Sequence, residues 1–192
     1  VARGLSPLLI VIITSFYLSE KLTAYELIGI LCISCSLLLY GTKISIKSKA
    51  NLKGFFFAMI TGCFIASYSI VDGLGARISQ NPIGFYSSLT ILNSFLYILF
   101  SIFFQKGVIK KIVTDGKKYF WIGGTASFGA CAIVVWACVY LPIAVVSSLR
   151  ETSIIFALIL STIFLKEKLD FFKIIIILAI LFGIILLRFN IS

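Results

Sequence analysis

The chain has 192 residues, of which 60% are hydrophobic, 15% aromatic and only 12% charged, and its mean hydropathy is +1.14. Soluble domains carry about 25% charged residues, so this composition excludes an ordinary soluble enzyme or binding module and predicts an all-α, polytopic transmembrane helix bundle. The formal charge of +10 does not point to nucleic acid, because the lysines fall in the short polar gaps between apolar runs, where the positive-inside rule puts them.

Seven apolar runs are predicted as helices at about 4–18, 23–41, 53–75, 82–104, 119–140, 143–165 and 171–188. The first is short for a crossing, and the chain opens at Val1 in what reads as a helix interior, with no signal-peptide pattern. The sequence therefore predicts a fragment whose amino-terminal part is missing. The second run carries Cys32 and Cys35, and the other cysteines, Cys63, Cys131 and Cys138, also lie in apolar runs. Without a histidine to complete a typical zinc site they read as small packing residues, and neither a metal nor a cofactor is expected.

The third run sets Gly54, Ala58, Gly62 and Ala66 at every fourth position, a smooth stripe for close helix contact, and Ala126 with Ala130 does the same briefly in the fifth. Tyr68 and Asp72 follow in the third run, then Gly73 and Gly75, which are expected to end the helix or to let backbone approach a ligand. Pro82 and Pro142 open the fourth and sixth runs, where a missing amide donor costs nothing. The fifth run ends with Trp136 and Tyr140, four apart and so on one face.

The sixth run holds the most informative stretch. Arg150 and Glu151 lie inside an apolar segment long enough to cross a bilayer, about 12 Å from its entry at Pro142. An ionised side chain near the bilayer centre costs roughly 2.5 kcal/mol or more, so these two should face other helices or a water-filled cavity. Helices 53–75 and 119–140 end on the face where 143–165 begins, so Tyr68, Asp72, Trp136 and Tyr140 can share the depth of Arg150 and Glu151. Together they form a candidate cavity in which Glu151 exchanges a proton and Arg150 holds an anionic group of a small-molecule substrate. Plainer readings stay open: Trp136 and Tyr140 as interfacial belt residues, Asp72 as a partner of Arg77 or a helix cap, and Arg150 with Glu151 as a structural ion pair.

The polar gaps set orientation. One alternate set holds Lys43, Lys47, Lys49 and Lys53, then Lys106, Lys110, Lys111, Lys117 and Lys118, then Lys166 and Lys168, with Lys173 just beyond; the other holds only Lys21, Arg77 and Arg188. The positive-inside rule makes loops 42–52, 105–118 and 166–170 cytoplasmic and puts the carboxyl terminus on the other side.

The sequence also repeats. Aligning Ser19-Glu20-Lys21-Leu22 with Lys166-Glu167-Lys168-Leu169 brings Arg3 opposite Arg150 and Ser6 opposite Ser153, so segments 1–41 and 148–188 share a two-helix plan. Their turns fall on opposite faces, as in the inverted repeats of secondary transporters. The expected organisation is therefore 1–41 as the last two helices of a truncated first repeat, 42–52 as a basic linker, and 53–192 as a complete five-helix second repeat. A whole protein would have ten helices, of which three are absent.

These residues carry a resemblance. Ala2-Arg3-Gly4-Leu5-Ser6-Pro7-Leu8, Tyr68-Ser69-Ile70-Val71-Asp72-Gly73-Leu74-Gly75-Ala76-Arg77, and Pro142-Ile143-Ala144 running into Leu149-Arg150-Glu151-Thr152-Ser153 and Leu165-Lys166-Glu167 resemble the carboxyl-terminal seven helices of an EamA-type member of the drug/metabolite transporter superfamily. The resemblance implies two inverted five-helix halves with a substrate cavity between them. It also implies transport of small organic molecules, such as amino acids or nucleobases, across the bacterial inner membrane. It supports Arg3, Tyr68, Asp72, Arg77, Arg150, Glu151 and Ser153 as motif positions. Many relatives keep their carboxyl terminus in the cytosol, whereas the lysines here argue the opposite.

Other classes fit less well. A retinal protein needs a lysine midway along its last helix, and the final run offers only Lys173 near its entry. A membrane enzyme would show paired loop acids, metal-ligand clusters or a nucleophile with its base, yet Asp115 is the only acid in the longest loop. A non-transporting scaffold or regulatory subunit, and a homodimer as the assembly, are compatible with the sequence.

Overall fold

A computed structural model describes residues 2–47, 52–104, 114, 116–164 and 171–188. Among these, eight α-helices follow in order: α1 (Ala2–Tyr17), α2 (Ala24–Lys47), α3 (Leu52–Ile78), α4 (Pro82–Phe104), α5 (Lys117–Tyr140), α6 (Ile143–Arg150), α7 (Ser153–Phe164) and α8 (Phe171–Arg188). Six segments are long and apolar enough to cross a membrane, with Ile143–Phe164 counted as one, and Gly4–Tyr17 is a shorter apolar helix. Large apolar side chains such as Phe95, Phe103, Phe164 and Phe182 stand exposed. In a helix that satisfies its own backbone, such a surface suits lipid. The protein is an integral membrane helix bundle.

Local chemistry explains the helix ends. Thr23-Ala24-Tyr25-Glu26 has capping-box spacing, and the Thr23 amide donates to the Glu26 carboxylate at 2.7 Å as α2 starts. At α4 the Asn81 side-chain oxygen accepts the Gly84 amide at 3.0 Å, with Pro82 as the first helical residue. Ser19 (φ 51°) and Gln80 (φ 55°) take the left-handed conformation that lets the chain leave α1 and α3.

The chain divides into two compact units: residues 1–71 with 141–192, and Asp72–Tyr140. In the first, α2 and α8 form the most extensive helix pair, and α1 packs on both α2 and α6. The α2/α8 contacts fix an antiparallel crossing. The Lys43 ammonium sits 3.7 Å from the centre of the Phe172 ring, Cys32 Sγ lies 3.5 Å from the Ala179 carbonyl oxygen, and Gly29 lies against Gly183 and Leu187. A β-carbon on Gly29 would meet the Gly183 carbonyl at 2.9 Å, and one on Gly183 would meet Ile33 at 2.7 Å. Only two glycines let these backbones come so close.

In the second unit α4 packs on α5, with Tyr86 and Phe128 ring centres 5.4 Å apart. Arg77 Nε donates to the Cys138 carbonyl at 2.8 Å, placing a cation on the carboxyl-terminal turn of α5. Gly73 and Gly75 do not end α3, which continues to Ile78; Gly75 instead leaves the space that the Phe85 ring occupies. The small-residue stripe on α3 is half realised. Gly62 and Ala66 are buried, whereas Gly54 faces open space.

Of the sequence features, loop 166–170 with its Lys166-Glu167-Lys168-Leu169 turn, residues 105–113 and 115, and residues 48–51 of the basic linker lie outside the described residues.

Candidate functional site

The polar run Ser147-Ser148-Leu149-Arg150-Glu151-Thr152-Ser153 interrupts the crossing. The sequence predicts one helix over 143–165, and the structure instead has two, α6 ending at Arg150 and α7 starting at Ser153. Across the junction the amides of Glu151, Thr152, Ile154 and Ile155 donate to the carbonyls of Ser148, Leu149, Glu151 and Thr152 at 3.1, 3.0, 3.1 and 2.9 Å. Each bond spans three residues, the spacing of a 3₁₀ turn rather than an α-helix. Serine and threonine hydroxyls compete for backbone groups and so weaken a helix interior; Ser148 Oγ donates to the Ala144 carbonyl at 2.8 Å. Irregular backbone at membrane depth is tolerated where protein buries it or where it lines a wet cavity.

The two halves differ in their surroundings. Residues Ile143 to Ser148 of α6 are all buried, whereas α7 buries only Ile155 and Leu158. Pro142 gives α6 no side-chain cap, but the Ile143 amide donates to the Glu20 carboxylate at 3.4 Å. That acid satisfies one amino-terminal amide and lies at the positive end of the helix dipole.

Arg150 and Glu151 diverge. Successive helical residues point about 100° apart and do not face each other. The half-buried Arg150 guanidinium sits 5.8 Å from the centre of the Tyr68 ring, within cation–π range, while Glu151 is only 4% exposed. Ser147 and Ser148, one turn before Glu151, are buried on its side of α6.

The other candidates fall as follows. Ser153 opens α7 and is exposed. Arg3 lies on α1, with its side chain outside the described set. Asp72, Trp136 and Tyr140 belong to the second unit. There Trp136 and Tyr140 pack with ring centres 5.0 Å apart at 56°, both exposed. Asp72 is half-buried within electrostatic reach of Tyr86, and the Thr90 hydroxyl donates to the Tyr86 carbonyl at 2.8 Å.

Sequence reasoning missed Tyr86, Ser147 and the capping role of Glu20. Their common difficulty is that each contact joins separate helices or depends on which way one residue of a helix points. Among the described residues no group of three or more His, Cys, Asp or Glu side chains is placed to hold a metal ion.

The EamA-like transporter family matches the chain over residues 52–189. No curated protein and no solved structure matches it.

Proposed function

The chain belongs to the EamA-like transporter family, and from that premise we propose that it serves a protein of a bacterial inner membrane that moves small polar organic metabolites by alternating access. The substrate class is amino-acid-like or nucleobase-like, with a carboxylate or equivalent anionic group. Arg150, Glu151 and Tyr68 line the path, and Arg3 and Ser153 contribute to it.

The observation that carries this reading is the break of the Ile143–Phe164 crossing beside its two ionisable residues. Discontinuous helices at membrane depth hold substrate and coupling ions in secondary transporters. The Arg150 guanidinium lies over the Tyr68 ring at 5.8 Å from its centre, and a cation held by a ring face keeps N–H groups for a planar anion. Glu151, buried next in the chain, is the group whose change of charge couples transport to a proton. With α6 walled in and α7 sparsely packed, the junction at Glu151-Thr152 is where one half of the crossing can tilt while the other stays.

The inverted-repeat reading draws support from the α2/α8 pair. The offset of the sequence alignment makes Cys32 and Ala179 equivalent, and these two residues touch across an antiparallel crossing. A two-fold axis relating two copies passes through such a self-contact.

The test is flux of the full-length protein in proteoliposomes. Glu151→Gln should abolish proton-coupled flux while insertion and helix content stay unchanged. Full activity in that variant removes Glu151 from the mechanism.

A further inference from the structure

A groove of about 300 Å³ runs between α7 and α8, lined by Ile159, Thr162 and Ile163 of the first and Ile174, Ile177 and Leu178 of the second. These helices are joined by residues 165–170, yet among the described residues they do not pack closely on each other. The lining offers a ligand hydrocarbon alone. Five of its side chains are aliphatic, and the Thr162 hydroxyl is turned back on its own helix, donating to the Leu158 carbonyl at 2.9 Å. A polar metabolite finds no hydrogen-bond partner there, whereas an acyl chain needs none.

Depth and charge say which acyl chain. Every lining residue lies within about 11 Å of the end of α7 or the start of α8, at 1.5 Å per residue, so the groove opens just beneath one rim of the bundle. That rim is the basic one. Lys43 lies over Phe172, so the gap after α2 and the gap before α8 share it. Segments 42–53 and 165–173 together hold seven lysines against two acids, Glu167 and Asp170, and any pairing among them leaves a positive excess. Lys173 stands one turn above Ile177 on the same face of α8, the face that lines the groove. A basic rim at a bilayer surface draws anionic headgroups, and a zwitterionic headgroup has no net charge to be drawn.

We propose that the α7/α8 groove holds one chain of an anionic phospholipid, with its headgroup beside Lys173 at the basic rim. The site does not depend on what the protein transports.

The experiment is native mass spectrometry of the delipidated full-length protein in detergent, titrated with palmitoyl-oleoyl phosphatidylglycerol or with the phosphatidylcholine of the same chains. One retained phosphatidylglycerol per chain is expected, bound about tenfold tighter than phosphatidylcholine. Ile177→Trp, which fills the groove, should abolish that preference. Lys173→Gln, which leaves the groove intact, should weaken phosphatidylglycerol binding about fivefold without changing phosphatidylcholine, and it decides the matter alone if the tryptophan variant does not fold. Ile91→Trp, on α4 at a residue 70% exposed, should match the parent. Equal affinity for the two lipids, or parental affinity in a folded Ile177→Trp or in Lys173→Gln, overturns the site. So does glycerol phosphate, the headgroup without chains, binding as tightly as the lipid, and so does a dimer that retains no lipid.

Discussion

Arg150 beside Tyr68 shows how a residue-scale contact converts to a measurable preference. The cation–π attraction depends on the ring, not on the phenol hydroxyl, so Tyr68→Phe should leave substrate affinity near its starting value. Tyr68→Leu removes the ring's electrostatic face and should weaken affinity by about 1 kcal/mol, roughly fivefold, read as a rise in KM for flux. Equal affinities in the two variants would show that the ring does not position Arg150. The sequence singles out Arg150 and Glu151 because charge inside an apolar run is expensive, and that argument needs no partners. It cannot give their directions. Nor could it separate Ser147 from Ser148, adjacent serines of which one returns its proton to the backbone and the other does not.

At the scale of the element, the Gly29/Gly183 crossing sets how closely α2 and α8 approach. Gly183→Leu must push the helices apart and should cost about 1–3 kcal/mol, seen as a lower Tm in detergent. Gly54→Ala, where a β-carbon meets nothing within 4 Å, should be neutral or raise Tm slightly through helix propensity. If both variants melt alike, the crossing does not bear on stability. Helix existence was legible from apolar runs, and the start of α2 from its Thr-x-x-Glu spacing. The end of α3 was misjudged, since Gly73 and Gly75 read as terminators until the Phe85 ring explains the second. The α6/α7 junction carries neither glycine nor proline, so the usual punctuation was missing, and only the density of serine, threonine and charge hinted at it.

For the whole molecule, topology is the property that lysines report. Lys43 over Phe172 and Glu20 on the Ile143 amide fix which polar gaps share an end of the first unit. The lysine-rich gap after α2 lies with the entry of α8, and the lysine-poor turn after α1 lies with the entry of α6. A reporter fused after Ser192 should therefore be read on the non-cytoplasmic side, and one inserted in loop 42–52 on the cytoplasmic side. The reverse pattern would overturn the orientation. The repeat was legible because its matched charges sit at turns, where Ile/Leu-rich sequence offers few accidental matches. Which helices of the two copies would touch was not, because an alignment of segments carries no distances.

Those same two contacts stand at opposite ends of one helix assembly, and each ties a residue from before the basic linker to one from after it. Under the alternating access proposed above, the assembly would swing by releasing one of them while the other serves as its fulcrum. Both rims carry contacts of a kind that thermal motion undoes and remakes, an amide bond at 3.4 Å at one and an ammonium resting on a ring at the other.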